Sequence, residues 1–417
     1  MKTNSSLFFK IAFVALIALL MLIPLAMVKN QIRERQNNAD SCRMEVSQSW
    51  GNAQTLAGPA LVLSYDKTEK DADGKRVVQH LKRTLYPKTL QYEIGAATRK
   101  LHRSIYDVMV YNADVAATGT FVLPADCAEL ALTEACVRLD ISDLRGIEGN
   151  VDFHLDGKDY TFSEGSSGER NEAAHIRETI QLDKAWMDGT TVLPFQLNFK
   201  TKGSESILVR PYGDLTEVRM HSDCPDPSFT GDFLPSEREI TDQGFTAKWI
   251  VSQINRGKPD DTAFGVRMLQ GVTQYRQTER SVKYGILIIL LIFVAGLAVE
   301  LLTRKEINLV QYIVIGLSLV LFYALVLSFS EFMAFPLAYT LAAAMTTLAL
   351  LGYFRGILKD KKAWLLGALV AIAYAISYVL LQMETYAFLA GTLILFAVLC
   401  AIMYLTRNLN RPAPAEE

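Results

Sequence analysis

Apolar residues are concentrated in two parts of this chain, and a long polar stretch separates them. One apolar run extends from Leu7 to Val28, and almost everything after Tyr284 is apolar, whereas residues 29–283 have the composition of a soluble protein. Crossing the hydrocarbon core of a bilayer takes about 20 consecutive, mainly apolar residues. The sequence therefore predicts a membrane protein with one large soluble insert.

Charged or turn-like breaks divide the C-terminal part into five predicted membrane segments. They are Tyr284–Leu302, Leu309–Phe329, Phe335–Phe354, Ala363–Met383 and Tyr386–Leu405. A cleaved signal peptide is an alternative for the N-terminal run, because Lys2 and Lys10 precede a hydrophobic stretch. We favour an uncleaved anchor, since no small-x-small cleavage pattern follows the run.

Basic residues in the short loops indicate the orientation, because Lys and Arg are enriched on the cytoplasmic side. Every second short loop and the tail are basic, through Arg304, Lys305, Arg355, Lys359, Lys361, Lys362, Arg407 and Arg411. The two intervening loops, at 330–331 and 384–385, have no basic residue. This alternation predicts cytoplasmic termini, a periplasmic insert and a location in the bacterial inner membrane.

Basic residues beside the insert argue for the opposite orientation. They are Lys29, Arg33 and Arg35 after the first segment, and Arg276, Arg280 and Lys283 before the second. The rule is weak for long translocated domains, so the short loops decide the prediction. The predicted domains are residues 1–29 (anchor), 30–283 (periplasmic), 284–406 (five membrane helices) and 407–417 (cytoplasmic tail).

The insert has the alternating pattern of β-strands from Ala60 to Ile250, most clearly at Phe195–Lys202. Turn signals at Asp73-Gly74, Asp156-Gly157 and 212–214 separate the strands, and Asp-Gly suits tight hairpins. We predict an α+β membrane protein with a large antiparallel, sandwich-like β domain. The helices expected in the insert are a short one within residues 126–136 and a continuation of the first membrane helix through residues 31–54.

Cysteine placement is compatible with an oxidising compartment. Cys42, Cys127, Cys136 and Cys224 fall in the insert, and Cys400 falls in the last membrane segment. A Cys127–Cys136 disulfide would close a small loop and contribute about 2.5 kcal/mol. Free thiols are the alternative, and the sequence leaves both open.

Patterns for catalysis, cofactors or metals are missing from the sequence. The five histidines, His80, His102, His154, His175 and His221, are scattered singly, without the spacing of a zinc peptidase. Residues 69–80 begin like a calcium loop but have His80 where a glutamate is needed, and residues 165–168 lack the spacing of a serine elbow. We predict no catalytic, cofactor-binding or metal-binding residues, no enzyme activity and, without a basic stripe, no nucleic-acid partner.

The membrane segments have few ionisable residues, which disfavours a pump or coupled carrier. Lys10 and Glu300 lie toward segment ends, where they are expected to reach the membrane interface. Gly367, Ala371 and Ala375 recur every four residues and form a small face. We expect that face to pack within the bundle, and self-association is the alternative.

The stretch Asp226–Pro235 has two interpretations. In the functional one, a ligand or metal is bound by His221, Asp223, Ser228 and Asp232. In the structural one, prolines and Gly231 shape a corner whose apolar residues, Phe229, Phe233 and Leu234, fill the core. We favour the structural interpretation, with Asp232 as the residue that can either cap backbone amides or bind a ligand.

Three blocks of the sequence resemble the CreD family of bacterial inner-membrane proteins. They are Ser49–Tyr65, Asp226–Trp249 and Val299–Glu331, and they occur in this order around a single soluble insert. The resemblance implies a protein of cell-envelope integrity, stress response or colicin tolerance, and it implies no catalytic residue or cofactor. The soluble-domain cysteines are not a general feature of that family.

We therefore expect a non-enzymatic, polytopic protein whose periplasmic domain binds an unknown envelope component or protein. The alternative is a carrier or lipid-handling protein whose β domain receives an apolar ligand, which an apolar cavity in the sandwich would favour. A third hypothesis, an enzyme that acts on envelope material, would require a cleft with convergent His, Asp and Ser side chains.

Overall fold

The structure is a computed structural model whose described residues fall into two compact units. It describes residues 2–70, 76–103, 106–162, 164–166, 174–181, 186, 190–268, 273–303, 307–359 and 363–382, with isolated positions between 392 and 403. The helical unit comprises residues 1–39 and 272–417, and the β unit comprises residues 40–271. The predicted limits of the periplasmic domain, 30 and 283, state where the chain leaves the membrane. The division into compact units does not test them, so they stay predictions.

The described part of the chain contains both short helices and long apolar ones. The α-helices are α1 (Lys2–Leu20), α2 (Leu22–Trp50), α3 (Gln253–Arg256), α4 (Thr273–Lys283), α5 (Gly285–Thr303), α6 (Leu309–Ser330), α7 (Phe335–Leu358) and α8 (Ala363–Gln382). Five helical stretches are long and apolar enough to cross a membrane, at residues 9–50, 275–300, 309–330, 335–358 and 363–382. The predicted N-terminal helix and four C-terminal helices are confirmed, whereas the segment Tyr386–Leu405 lies outside the described residues except at isolated positions.

The ends of these helices follow local sequence rules. At the start of α6, the Asn308 side chain accepts a hydrogen bond from the Val310 amide at 3.3 Å, and the Gln311 side chain accepts one from the Asn308 amide at 2.9 Å. This reciprocal capping satisfies amides that have no partner in the first turn. The predicted continuation of the first membrane helix is confirmed as far as Trp50, where α2 ends before Gly51 with φ of 148°, whereas Gln54 already belongs to β1.

The described strands form two sheets in the β unit. In spatial order, the first sheet contains β13 (Ser228–Gly231), β16 (Phe264–Arg267), β11 (Ser206–Arg210), β1 (Gln54–Lys70), β5 (Ala131–Ile141), β9 (His175–Thr179) and β8 (Glu164–Ser166), and β2 (Arg76–Leu85) also pairs with β1. The second contains β14 (Glu237–Thr241), β15 (Gly244–Ser252), β12 (Leu215–Ser222), β3 (Thr89–Arg103), β4 (Tyr106–Leu123), β10 (Thr191–Ser204), β6 (Ile147–Leu155) and β7 (Lys158–Thr161). The predicted large β domain is thus confirmed.

Antiparallel pairing dominates, but the pairs β1–β11 and β12–β3 are parallel, so both sheets are mixed. Residues 211–214, where the sequence has a turn signal, lead the chain from β11 in one sheet to β12 in the other. This turn is therefore a change of sheet and not a hairpin. The predicted hairpin at Asp156-Gly157 is present between β6 and β7, with φ of 48° and 77°, and Asp73-Gly74 lies outside the described residues.

One apolar core lies between the two sheets. Tyr92 and Ile94 of β3 and Val137 and Leu139 of β5 are buried in it, and the residues between them face outward. The Tyr92 hydroxyl also donates a hydrogen bond to the Gly58 carbonyl of the other sheet at 2.5 Å. Since each fully buried apolar side chain contributes about 1.5–3 kcal/mol, this core stabilises the unit without a covalent link.

The disulfide considered for Cys127 and Cys136 is absent, and both thiols are free. A short 3-10 helix covers only Ala125–Glu129 of the helix expected there, and β5 takes over from Ala131. Cys127 is buried in the core, whereas Cys136 alternates with the buried Ala135 and Val137. Its side chain thus points to the opposite face of the sheet, which is why the pair does not meet.

Candidate functional site

The stretch Asp226–Pro235 forms a corner of the first sheet. Strand β13 pairs with β16, and beyond it the Asp232 amide donates to the Ala263 carbonyl at 2.9 Å. The Asp232 carboxylate accepts a hydrogen bond from the Ala263 amide, also at 2.9 Å. Asp232 therefore fastens two segments of backbone together, as the structural interpretation expects.

Aromatic rings hold this corner against the core. Phe229 packs edge-to-face on Trp249 with ring centroids 5.9 Å apart, and Phe233 packs on Phe264 at 5.9 Å. The prediction that Leu234 also fills the core is wrong, because its side chain is 70% exposed. Leu234 directly follows the inward-facing Phe233, and successive side chains of an extended chain point to opposite sides.

The four residues of the functional interpretation do not converge. His221 lies on β12 of the second sheet and Asp223 follows it, whereas Ser228 and Asp232 belong to the corner of the first sheet. The Asp223 carboxylate accepts a hydrogen bond from the Thr98 amide at 2.7 Å. A groove lined by His221 and Asp223 includes neither Ser228 nor Asp232.

That groove, which we call the outward groove, is an open cleft of about 930 Å³ on the solvent-facing side of the second sheet. It crosses five adjacent strands, β12, β3, β4, β10 and β6. Its polar lining comprises Glu93, Asp114, Glu148, Asn150, Asp152, Asn198, Lys200, His221 and Asp223. Carboxylates thus outnumber cationic side chains in the groove.

Some of these carboxylates already have partners. Lys200 Nζ lies 3.4 Å from Asp114 Oδ1, and Glu148 forms an ion pair with Lys202. Glu93 and Asp152 have no hydrogen-bond or ion-pair partner among the described residues. The groove therefore offers two uncommitted carboxylates to a ligand that has amines or hydroxyl groups.

The position of His221 depends on a glycine in the neighbouring strand. Gly95 of β3 pairs with His221 of β12, and a Cβ atom added at Gly95 would lie 2.7 Å from His221 Nε2. That distance is too short for non-bonded atoms. The missing side chain thus allows the imidazole to lie across β3 inside the groove.

Nucleophilic chemistry has no support in the described part of the groove. The hydroxyl of Ser222, next to His221, lies 3.4 Å from Asp223 Oδ1 and 3.7 Å from the Met268 sulfur, and the same oxygen accepts a hydrogen bond from the Cys224 amide at 3.2 Å. The histidine thus has no serine partner there. Among the described residues, no group of three or more His, Cys, Asp or Glu side chains could hold a metal ion.

A second polar cluster, partly buried, lies where the chain passes between the sheets. The Tyr212 hydroxyl lies 3.0 Å from Asp140 Oδ2 and 2.7 Å from Asp260 Oδ1. Arg138 Nε lies 3.1 Å from Asp140 Oδ1. Burial raises the pKa of Asp140 above its ordinary value, although Arg138 opposes the increase.

Arg256 fixes the same crossing from the other side. Its Nη1 donates to the Pro211 carbonyl at 2.5 Å, and its guanidinium lies over the Tyr86 ring, 6.0 Å from the centroid. Burial lowers the pKa of Arg256, with Asp214 opposing the decrease. Because Arg256 holds the backbone of the crossing at Pro211, we assign this cluster a structural role.

The helical unit contains ion pairs that the sequence did not indicate. Lys10 pairs with Glu300, and their side chains are only 20% and 12% exposed. Tyr312 donates a hydrogen bond to the same Glu300 at 3.5 Å. The fold thus brings these two residues together, and the prediction that they reach the membrane interface stays a prediction.

Two further pairs involve basic residues that opposed the predicted orientation. Arg33 Nε lies 3.8 Å from Glu279 Oε1, and Arg35 Nε lies 3.4 Å from Glu331 Oε1. Both acidic partners are expected on the same side of the membrane as the arginines. Their charges are therefore partly compensated within the unit.

Sequence reasoning missed the outward groove, although one signal for it was present. Glu93 occupies an outward position in the alternating strand β3, and His221 occupies one in β12. The alternation alone could have assigned both side chains to the solvent face. Their proximity depends on the parallel pairing of the two strands, which a local pattern does not reveal.

Comparison with known proteins shows similarity over nearly the whole chain. The family described as "Inner membrane protein CreD" matches residues 6–411. The inner membrane protein CreD of Escherichia coli (strain K12) is 27% identical over an alignment 434 positions long. The alignment covers 98% of this chain and 94% of that protein.

Solved structures resemble the chain only weakly. A mutant of the M1 zinc metallopeptidase from Deinococcus radiodurans has a TM-score of 0.25 at 11% identity, over 44% of this chain and 42% of that chain. The M1 zinc metallopeptidase from the same organism has a TM-score of 0.20 at 10% identity, over 44% and 43%. Scores this low support no conclusion about function.

Proposed function

The chain belongs to the CreD family of inner membrane proteins, and from that premise we propose that it supports cell-envelope integrity without catalysing a reaction. In this proposal it crosses the inner membrane several times, with both termini in the cytoplasm. Its β unit faces the periplasm and binds an envelope component or protein through the outward groove. Stress response and colicin tolerance are the processes in which it acts.

The charge pairs of the helical unit support the proposed orientation. Lys10 and Glu300 lie at the predicted cytoplasmic ends of their segments, and they pair with each other. Arg35 and Glu331 are both predicted to be periplasmic, and they also pair. Each pair joins residues that the loop charges assign to the same side of the membrane.

The observation on which the binding proposal depends is the contrast between a filled core and an open polar groove. Residues from both sheets fill the space between them, and many are fully buried. The outward groove has Glu93, Asp152 and His221 available on its surface. A ligand with amino or hydroxyl groups, such as a polar wall component or a basic protein segment, fits this lining.

The carrier hypothesis placed an apolar ligand inside the β domain. The two described grooves of the β unit lie instead on its outer surface, and polar residues outnumber apolar ones in each lining. Among the described residues, the interior shows packed side chains where such a ligand would have to be. Binding at the surface is therefore the better supported proposal.

The test is resistance of a deletion strain to detergent and a β-lactam when it is complemented with defined variants. We expect wild type to restore resistance and the double variant Glu93→Ala with His221→Ala to restore much less, because both changes remove polar groups from the groove. Gln91→Ala is the matched control, since Gln91 faces outward on the same strand outside the groove. Immunoblots must show equal amounts in the membrane.

Either of two results would contradict the proposal. If deletion leaves resistance unchanged, the envelope role fails. If deletion sensitises cells but the groove variant complements as well as Gln91→Ala, the envelope role stands and the outward groove is not the binding site.

A further inference from the structure

The helical unit has a groove whose lining changes from apolar to charged along its length. This groove, which we call the interface groove, lies between α2 and α6 and has a volume of about 350 Å³. Its lining includes Met27, Gln31 and Arg35 on the side of α2, and Ala324, Ser328 and Glu331 on the side of α6. Residues three or four apart lie on one face of a helix. Each wall therefore presents an apolar, a polar uncharged and a charged side chain in this order.

The charged end of the groove lies where the membrane segments end. Both helices are long and apolar enough to cross a membrane. Glu331 follows the predicted end of its segment, Phe329, by two residues, and it contacts the guanidinium of Arg35. At about 1.5 Å per residue, this contact falls within the polar layer over the hydrocarbon core, which is about 5–7 Å deep on each side. Met27, by contrast, still belongs to the apolar run that ends at Val28.

Arg35 and Glu331 form an ion pair at this end. Arg35 Nε lies 3.4 Å from Glu331 Oε1, and the two side chains are 40% and 12% exposed. A guanidinium has five N–H groups and a carboxylate has two oxygens, so each group can contact the other and a ligand at the same time. The described lining contains one cation and one anion. The groove thus presents both charges side by side and has no net charge.

The order of polarity along the groove matches that of a phospholipid with a zwitterionic headgroup. Arginine binds phosphate through paired hydrogen bonds, and a carboxylate accepts hydrogen bonds from a primary ammonium group. The side chain of Met27 is 67% exposed and offers apolar surface to an acyl chain. An anionic headgroup would bring its phosphate beside Glu331 without an amine to compensate. A choline headgroup has no N–H to donate to that carboxylate.

We propose that the interface groove binds a zwitterionic phospholipid with a primary amine, which is the chemistry of phosphatidylethanolamine. Arg35 binds the phosphate, Glu331 binds the ammonium group, and Met27 and Ala324 contact an acyl chain. The volume is in the lower part of the range of about 300–1,000 Å³ that is usual for small-molecule sites, which suits the headgroup end of a lipid. The depth argument holds for either orientation of the chain, so this inference does not depend on the function proposed above.

The test uses the full-length chain in vesicles with equal parts of phosphatidylethanolamine, phosphatidylglycerol and phosphatidylcholine. In each of three preparations, a different one of these lipids has a diazirine in one acyl chain. After illumination, mass spectrometry measures labelled peptides of α2 and α6 relative to labelled peptides of α8, which corrects for the amount of probe. We expect severalfold more labelling by the ethanolamine lipid than by either of the others.

Variants of the two charged residues test their separate roles. Arg35→Gln should reduce labelling by the ethanolamine lipid about tenfold, the contribution of one hydrogen bond to a charged group. Arg33→Gln is its matched control, because Arg33 also lies near a glutamate, 3.8 Å from Glu279, but does not line the groove. Glu331→Gln should remove most of the preference for ethanolamine over choline, since it removes the anion that binds the amine. Glu279→Gln should leave that preference unchanged.

A variant that keeps both charges tests the groove itself. Ser328→Trp, at an exposed position of the lining, should reduce labelling by the ethanolamine lipid severalfold because the larger side chain fills the groove. Leu337→Trp should not, although Leu337 is 64% exposed and lies in the first turn of α7, close in sequence to Glu331. Melting temperatures of all variants distinguish a lost site from a lost fold.

Three outcomes would overturn the proposal. Equal labelling of α2 and α6 by the three lipids would show that the groove does not select a headgroup. Equal effects of Arg35→Gln and Arg33→Gln, or a preference that survives Glu331→Gln, would show that the ion pair does not bind the headgroup. Loss of labelling on addition of millimolar glycerophosphoethanolamine would show that a soluble headgroup occupies the site without the acyl chain.

Discussion

The hydroxyl of the buried Tyr212 contacts two carboxylates at once. A phenol has one hydrogen to donate, yet carboxylate oxygens of Asp140 and Asp260 both lie within 3.0 Å of its oxygen. Satisfying both contacts takes one more proton. Asp140 is the buried member of the pair and has a raised pKa, with burial as the main cause. A protonated Asp140 can donate to Tyr212, which then donates to Asp260.

This proton count predicts a specific pH dependence of stability. The folded-state pKa of Asp140 lies above its ordinary value of 3.8. The stabilisation of the folded protein by protonated Asp140 is therefore complete below about pH 4 and is lost as pH rises through the raised pKa. For each unit by which folding raises the pKa of Asp140, the free energy of unfolding falls by about 1.4 kcal/mol as pH passes from the ordinary to the raised pKa. We expect the stability of Asp140→Asn relative to wild type to increase between pH 4 and pH 7. The measurement is the melting temperature of each full-length protein in detergent.

The control for this measurement is Asp152→Asn, which changes an exposed carboxylate without a hydrogen-bond or ion-pair partner among the described residues. The melting temperature of this control relative to wild type should not show the increase with pH that is expected for Asp140→Asn. If the Asp140→Asn difference is flat or falls with pH, Asp140 is ionised in the folded protein and the proposed proton chain is absent.

At the scale of elements, a polar contact joins α1 to two other helices of the helical unit. Lys10 in α1 pairs with Glu300 in α5, and Tyr312 of α6 donates to the same carboxylate. Three helices thus share one polar contact in largely apolar surroundings. Removing one partner of a buried pair leaves an uncompensated charge, which costs about 3–5 kcal/mol.

A charge swap tests this contact. Lys10→Glu and Glu300→Lys should each lower the melting temperature and the membrane level of the protein, because each places like charges side by side. The double variant Lys10→Glu with Glu300→Lys should recover much of the loss, since the pair is restored in reverse. Melting curves in detergent and pulse-chase lifetimes measure both effects.

Lys2→Glu makes the same change of N-terminal charge eight residues earlier and controls for effects on insertion. Lys10→Glu should be clearly worse than this control. A double variant no better than the worse single variant would show that Lys10 and Glu300 do not stabilise each other.

At the scale of the whole molecule, loop charge and ion pairing point to the same orientation. The basic loop that contains Lys359 alternates with the loop that contains Glu331, which pairs with Arg35. In the proposed orientation Arg33 and Arg35 are periplasmic, and Glu279 and Glu331 lie close enough to compensate part of their charge. The exception to the positive-inside pattern thus has a structural reason.

Reporter fusions test this topology directly. Alkaline phosphatase, which is active only outside the cytoplasm, should be active when fused after Phe332 and inactive when fused after Lys359. A β-galactosidase series at the same positions should give the reverse pattern. Matching activities at the two positions, or an active phosphatase after Lys359 alone, would refute the proposed orientation.

Local sequence determined the parts of this protein that depend on composition and periodicity. Hydrocarbon thickness sets the length of an apolar helix, and sheet pleating sets the alternation of residues such as Tyr92 and Ile94, so both can be predicted from short windows. The tertiary structure decided the contacts between residues that lie far apart in the sequence, which short windows cannot contain. His221 meets Gly95, Lys10 meets Glu300, Cys127 and Cys136 stay apart, and α2 and α6 form a groove. Each of these outcomes depends on strand register or helix packing, because the groups involved approach one another only after the elements have assembled.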